Sequence, residues 1–204
     1  MIGPAITAVG AITSVGRDAA TTCASIRAGI VRAAPVDDFL VLDHLEHAEV
    51  PLAGCPVAGI TNGFSNVGRW LQLASRALED LVNQGSLPLN DQRFWSKTRF
   101  EIVVPALDDR FPEDLGLTQA TLDAGLAKPL LKRLSVNGQP PQARVLARGC
   151  TGAIDALIAA RSELKSGGLE RVIVVAVDSL VDATALQWLG DSLRLKCDVD
   201  PAGL

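Results

Sequence analysis

The chain has few aromatic residues and no run of basic ones. Aromatic side chains make up only 4% of its 204 residues, and the formal net charge is −4. Proteins that bind nucleic acids use clustered Lys and Arg, often beside aromatic rings on which bases stack. The composition therefore predicts that nucleic acid is not a partner.

Cysteines are sparse and widely spaced: Cys23, Cys55, Cys150 and Cys197. They form no Cys-x-x-Cys pair, so neither a disulfide framework nor a cysteine-based zinc site is indicated. We expect reduced thiols, with Cys23 in the core because it falls inside a predicted helix. The two histidines, His44 and His47, could bind a metal only if carboxylates converged on them. Their spacing favours a solvated loop instead, so the sequence predicts no metal and no cofactor.

No apolar run is long enough to span a membrane, and the amino terminus lacks the charged and apolar regions of a signal peptide. We therefore expect a cytoplasmic protein with no membrane partner. Hydrophobic residues make up 48% of the chain, which is enough for a sizeable core. No linker, charge block or internal repeat divides the chain, so residues 1–204 are predicted to form one domain.

Strand and helix patterns alternate along the chain. Strands are predicted at residues 6–15, 100–104, 143–147 and 172–177, the last an unbroken apolar run typical of a strand covered on both faces. Helices are predicted at residues 17–32, 67–82, 115–134 (with breaks near Gly125 and Pro129), between Cys150 and Gly167, and at 179–193. Residues 34–58 are predicted to be irregular. This alternation predicts the α/β class, with a mostly parallel sheet and helices on both of its faces.

The most informative stretch is residues 143–178, which predicts a strand, a cysteine, a helix, a Gly-Gly turn and a second strand. Four large apolar residues recur at helical spacing and give the helix one apolar face: Ile154, Leu157, Ile158 and Leu164. Gly167 and Gly168 follow the basic end of this helix, where a C-terminal cap is expected.

Cys150 is predicted to lie where the strand turns into this helix. The N–H groups and the dipole of a helix start favour negative charge, and the thiolate is the form of cysteine that attacks carbonyl groups. The backbone N–H of Cys150 could also help to hold an oxyanion. The alternative is that Cys150 is a small buried residue, inert and suited to a tight turn.

Asp178 and Ser179 follow the second strand of this stretch. They could line a binding site, because ligands gather at the carboxyl ends of strands in α/β sheets. They could equally well cap the helix that comes next.

Around Cys150 the sequence resembles the nucleophile region of the β-ketoacyl synthases, which belong to the thiolase superfamily. In one register without gaps, Cys150 falls on the acyl-accepting cysteine of the family's Cys-small-small-small-x-x-Ala-Leu pattern. The same register matches at further places: Ala156-Leu157, Ala160, Ser166-Gly167 and Val177-Asp178. The opening of the chain is also similar to the family's opening strand and helix, through Ile6-Thr7, Gly10-Ala11, Thr13, Gly16 and Ala28-Gly29.

The resemblance implies a thiolase-like fold, of which residues 1–204 form the N-terminal half. It implies that Cys150 accepts an acyl group from an acyl carrier protein or from coenzyme A, for a condensation that forms a C–C bond. Gly149, Thr151 and Gly152 would then contact the substrate. In the family, the histidines, or the histidine and asparagine, that stabilise the enolate belong to the second half. We therefore expect this chain alone to be inactive in condensation.

Members of the family dimerise through the strand before this cysteine, so a homodimer, or a heterodimer with a ketosynthase-like chain, is expected. Two alternatives remain open. The chain could be a non-catalytic thiolase-fold subunit that dimerises with an active ketosynthase and supports it, or it could be an unrelated α/β binding protein. Rapid labelling of Cys150 would favour the acyltransferase, whereas a heterodimer without labelling would favour the supporting subunit.

Overall fold

The structure of the protein is a computed structural model, and it describes residues 3–43, 47–107, 110–134 and 140–195. Its strands are β1 (Ala34–Asp43), β2 (Ala48–Gly54), β3 (Thr98–Val104), β4 (Gln142–Ala147) and β5 (Arg171–Ala176). Its helices are α1 (Ala19–Arg27), α2 (Asn66–Gln84), α3 (Gln92–Ser96), α4 (Gln119–Leu122), α5 (Lys128–Lys132), α6 (Gly152–Ser166) and α7 (Ala183–Asp191). Short 3₁₀ turns lie at Glu113–Leu115 and Gly149–Thr151, and Asp123–Ala127 is a π-helical segment.

Three strands form a parallel sheet in the order β4-β3-β5, with β3 in the centre. Phe100, Ile102 and Val104 of β3 point to one face of this sheet, where they are buried in a core with residues of α2 and of the helical run 119–132. On the opposite face, α6 packs against β3 and β5. The predicted α/β class, with a parallel sheet and helices on both faces, is confirmed.

The helix predicted at residues 67–82 is confirmed as α2. Its apolar residues recur on one side of the helix, and this side is buried: Trp70, Leu73, Ala74, Leu78 and Val82. The ring of Trp70 packs edge-on against Phe111, with 5.5 Å between the ring centroids. Trp70 is therefore a core residue.

Residues 6–15 do not form the predicted strand. The backbone N–H of Ala11 donates to Oδ2 of Asp80 on α2 at 2.9 Å, not to a neighbouring strand. Gly10 lies so close to α2 that a Cβ atom built on it would be 2.2 Å from the carbonyl oxygen of Ala77. This segment packs against α2 and does not join the sheet, because a side-chain acceptor on α2 replaces a strand partner.

The region around the first helix also differs from the prediction. α1 ends at Arg27, five residues earlier than predicted, and Gly29 after it adopts a left-handed φ of 67°. Residues 34–58, predicted to be irregular, contain the antiparallel hairpin of β1 and β2. Pro35 and Pro51 are tolerated in this hairpin, because each strand of a two-stranded sheet has one edge without ladder hydrogen bonds.

The helical run 119–132 has no break near Gly125 or Pro129. α4, the π-helical segment and α5 follow one another directly. In a regular α-helix the ring of Pro129 would clash with the carbonyl group of Gly125. Gly125 lies in the π-helical segment, whose wider turn makes room for the proline ring. Three leucines without exposed surface anchor the run in the core: Leu122, Leu126 and Leu130.

The strands β3, β4 and β5 and the helix α7 lie where the sequence predicts them, within a few residues. β5 is an edge strand, however, and its first four residues are half-buried. Helix α6 packs on one face of β5, and the core around α2 contacts the other. The cover on both faces that its apolar run predicted is therefore confirmed, although it is incomplete. Among the described residues, no helix combines the length and the apolar character needed to cross a membrane.

Candidate functional site

Cys150 lies in the 3₁₀ turn Gly149–Thr151, which joins the end of β4 to the start of α6. Just before the turn, the backbone N–H of Arg148 donates to the carbonyl oxygen of Val104 at 3.2 Å, so the turn is tied to the end of the central strand. The thiol is exposed. The predicted place of Cys150 between a strand and a helix is confirmed, and the thiol is not the buried one of the alternative interpretation.

Glycine is needed on both sides of this thiol. Gly149 has a φ of 65°, in the left-handed region that other residues rarely adopt. At Gly152 a Cβ atom would be 2.6 Å from Cγ1 of Val103 and 2.7 Å from Cβ of Arg148, which is too close for either atom. The turn can therefore approach the sheet closely, and the two residues between the glycines remain exposed.

α6 presents its small residues to the sheet and its large apolar residues to solvent. The buried residues of α6 are all small: Gly152, Ala156 and Ala160. Three large residues are 62%, 46% and 64% exposed: Ile154, Leu157 and Ile158. The apolar face predicted from the sequence exists, but most of it lies outside the core, because the close approach of the helix to the sheet leaves room only for small side chains.

The start of α6 has no side-chain cap, since Thr151 makes no capping hydrogen bond. The N–H groups of the first turn and the dipole of this 15-residue helix favour negative charge beside Cys150. Asp155 lies in the same turn, and its carboxylate competes for the same positive potential. The turn is therefore a suitable place for a nucleophilic thiol, with one acidic neighbour.

The carboxyl ends of the three parallel strands meet at one edge of the sheet, so the candidate turn and Asp178 lie at the same edge. Arg110, which is 7% exposed, donates from Nη1 to Oδ1 of Asp178 at 2.6 Å and from Nη2 to the carbonyl oxygen of Ser179. Asp178 does not cap the next helix. The helix that follows, α7, is capped by Asp182, whose side chain accepts a hydrogen bond from the backbone N–H of Thr184. Of the two roles left open for Asp178, a place at the sheet edge is the one that the structure supports.

Sequence reasoning missed an ion pair between a buried carboxylate and a half-exposed arginine on the α6 side of the sheet. Glu101 on β3 has no exposed surface, and its Oε2 accepts a hydrogen bond from Nε of Arg144 on β4 at 2.8 Å. This bond raises the pKa of Arg144 above its ordinary value, against the opposing effect of burial. The second carboxylate oxygen of Glu101 is buried and has no partner among the described residues. The charges are visible in the sequence, but their pairing depends on the strand register, which places these two residues opposite each other.

The structure describes three of the other candidate ligands: Cys23, Cys55 and His47. Cys23 and Cys55 are exposed, so the expectation that Cys23 lies in the core is wrong: its side of α1 faces solvent. Cys197 and His44 lie outside the described residues. His47 is exposed, beside the β1–β2 turn. In the part of the chain that the structure describes, no three His, Cys, Asp or Glu side chains form a group that could hold a metal ion.

The sequence matches no model of a known protein family and no curated protein. The structure is similar to the crystal structure of a beta-ketoacyl synthase from Burkholderia phymatum STM815, with 17% sequence identity and a TM-score of 0.47. The similarity covers 83% of this chain and 45% of that protein. The chain thus spans less than half of that protein's length, and the likeness is a distant one.

Proposed function

We propose that this chain is part of a β-ketoacyl synthase-like acyltransferase, in which Cys150 accepts an acyl group from an acyl carrier protein or from coenzyme A. The observation that supports this function is the exposed thiol between a parallel strand and a long helix, at the carboxyl edge of the sheet. Cysteine nucleophiles act from such partly exposed, electropositive positions. The residues around Cys150 also carry the sequence resemblance to this family.

The proposed first reaction is a transfer between two thioesters. The Cys150 thiolate attacks the carbonyl carbon of the acyl thioester, and a tetrahedral oxyanion forms. The bond from this carbon to the carrier's sulfur then breaks, which leaves the acyl group on Cys150 and the carrier as a thiolate. That thiolate takes up one proton, equal to the one that Cys150 released. The backbone N–H of Cys150 is the proposed oxyanion donor, because it lies beside the sulfur at the helix start.

The condensation that follows needs further groups to stabilise an enolate. In the family that the sequence resembles, these groups belong to the second half of the fold. We therefore propose that a further segment or a partner chain supplies them. The outward apolar face of α6 supports this proposal, because a row of large exposed aliphatic residues is usually covered by another element.

The same exposed face favours a second candidate function, a non-catalytic thiolase-fold subunit that supports an active ketosynthase-like chain. In the described sheet, β4 pairs only with β3, so its other edge is available to a second chain. Under either function, we propose that β4 forms the contact in a homodimer or a heterodimer.

The two functions are separated by the reactivity of the three described thiols toward iodoacetamide, measured by peptide mass spectrometry on the folded chain. Cys23 and Cys55 are internal controls, because both are exposed and neither lies at the start of α6. The acyltransferase function predicts that Cys150 reacts about tenfold faster than either control, since a nucleophilic cysteine is the most reactive thiol of its protein. Equal rates at the three thiols would favour the non-catalytic subunit.

A further inference from the structure

A cleft lies at the carboxyl edge of the sheet, beyond the end of β5. It has a volume of about 420 Å³, and residues 12–13, 55–57 and 178–181 form most of its wall. This volume is in the lower part of the range of small-molecule sites. The candidate turn at Cys150 is not part of the wall. The strands that lead to the two sites, β4 and β5, lie on opposite sides of β3 and are about 10 Å apart, which is two strand spacings.

The greater part of the wall is aliphatic. It combines side chains from four separate parts of the fold: Ile12, Val57, Leu73, Leu180 and Val181. Leu73 belongs to α2 and is 6% exposed, so the cleft reaches the hydrophobic core. An alkyl chain that entered the cleft would exchange contact with water for contact with these side chains.

The polar part of the wall contains a carboxylate that is held in place. Oδ1 of Asp178 accepts from Nη1 of Arg110 and from the backbone N–H of Ser179, each at 2.6 Å. Arg110 is itself fixed by burial and by its bond to the carbonyl oxygen of Ser179. The Asp178 side chain is 50% exposed, and none of the described residues donates to its Oδ2. This oxygen can therefore accept a hydrogen bond from a ligand in the cleft.

We propose that this cleft binds a small aliphatic amine. The protonated amino group donates to Oδ2 of Asp178, and the alkyl chain lies along the aliphatic wall. An ammonium group fits better than a hydroxyl group, because hydrogen bonds between charged partners are about twice as strong as neutral ones. A carboxylate in the same position has no hydrogen to donate, so it could not bond to Oδ2 of Asp178. The site needs neither the Cys150 thiol nor acyl transfer.

Cys55 provides a reporter for this site, because its exposed thiol is part of the wall. The experiment measures the rate at which methyl methanethiosulfonate modifies Cys55 and Cys23 as n-hexylamine is added at constant pH and ionic strength. Bound amine should shield Cys55, so its rate of modification should fall and then level off as amine is added. At an amine concentration ten times the dissociation constant, the rate should be about tenfold lower. Cys23 on α1 lies outside the cleft, so its rate should not change.

Two comparisons test the role of Asp178. Hexanoate has the same chain with a negative head group, and it should not shield Cys55. In the Asp178→Asn variant, shielding by n-hexylamine should weaken at least about tenfold, because the charge is lost while Oδ1 can still accept from Arg110. The comparison of n-hexylamine with hexanoate on the unaltered chain does not depend on how the variant folds.

The proposal is overturned if n-hexylamine leaves the rate at Cys55 unchanged, or slows Cys55 and Cys23 alike. It is also overturned if hexanoate shields Cys55 as well as the amine does, since the cleft would then select for the chain and not for the head group. None of these readouts involves Cys150, so a failure of the proposed acyl transfer would leave them unaffected.

Discussion

Glu101 and Arg144 connect the central strand of the sheet to the edge strand that leads into the Cys150 turn, with 2.8 Å between Oε2 and Nε. Arg144→Met would leave a carboxylate without exposed surface and without its ion partner. The Arg144 side chain is 47% exposed, so water can partly replace it. We expect the free energy of unfolding to fall by about 2 kcal/mol, below the value for a fully buried pair. Urea denaturation measures this change.

The matched control replaces both partners, as Glu101→Leu with Arg144→Leu. Removing both charges should recover most of the stability, because no carboxylate is then left unpaired. A double variant as unstable as Arg144→Met would contradict the explanation by an ion pair.

The pH dependence of this pair follows from the raised pKa of Arg144. A cation whose pKa is higher in the folded state stabilises the fold below its unfolded-state pKa, and this contribution disappears as pH rises through the folded-state value. For Arg144 that window lies above the range in which proteins are normally studied, so the contribution of the pair should be constant up to about pH 11. In Arg144→Lys the unfolded-state pKa of the cation is about 10.4, so this variant should begin to lose stability relative to the unaltered chain as pH rises above about 10.4. Urea denaturation at a series of pH values tests this, and a constant difference between the two proteins would count against it.

Gly152 controls how closely α6 approaches the sheet. In Gly152→Ala the new Cβ atom would meet Val103 and Arg148 at less than 3 Å. We expect a loss of about 1–3 kcal/mol from overpacking, together with a changed alkylation rate at Cys150 because the turn must shift. Gly168→Ala is the control: no heavy atom lies within 4 Å of its added Cβ, so its stability should change by no more than about 0.5 kcal/mol. Similar losses in the two variants would mean that the close approach at Gly152 is not the cause.

One carboxylate caps two helices. Oδ2 of Asp182 accepts from the backbone N–H of Asn66 at the start of α2, at 2.9 Å, and Oδ1 accepts from that of Thr184 in α7, at 3.2 Å. Asp182→Ala removes both caps and should lower the free energy of unfolding by about 2 kcal/mol. Asp182→Asn keeps one acceptor oxygen, so its free energy of unfolding should fall by about half as much as that of Asp182→Ala. If the two variants are equally stable in thermal or urea denaturation, the double cap does not operate.

The orientation of α6 can be tested with two substitutions on opposite sides of the helix. Ile158 is 64% exposed and Ala156 has no exposed surface. Ile158→Gln should change the stability by no more than about 0.5 kcal/mol, whereas Ala156→Leu should cost about 1–3 kcal/mol by overpacking. The reverse order in urea denaturation would mean that the large aliphatic face of α6 packs on the sheet.

The parts of the fold that could be predicted from the sequence are those whose pattern is local. α2 has a continuous amphipathic pattern, and the stretch around Cys150 combines a strand, small residues, a helix and a glycine cap within 36 residues. The φ of 81° at Gly167 agrees with its predicted place after the helix. In these elements, the neighbours along the chain largely determine the conformation.

The features that could not be predicted depend on residues far apart in the chain. Residues 6–15 have the composition of a strand, but Asp80, 69 positions after Ala11, accepts the backbone hydrogen bond that a strand partner would take. The pairing of Glu101 with Arg144 depends on the register of two strands. The apolar pattern of α6 identifies a helix face, but only the distance between helix and sheet decides which face is buried.

The most direct test of the proposed function is whether Cys150 takes an acyl group from a thioester. The folded chain would be incubated with acetyl-coenzyme A, and the acyl group located by peptide mass spectrometry at neutral pH. Cys150→Ala and Cys55→Ala form a matched pair, since each removes one exposed thiol. The proposal predicts one acetyl group on Cys150 in the unaltered chain and in Cys55→Ala, and none in Cys150→Ala. An acetyl group spread evenly over Cys23, Cys55 and Cys150, or no acetyl group on Cys150 of the folded chain, would contradict it.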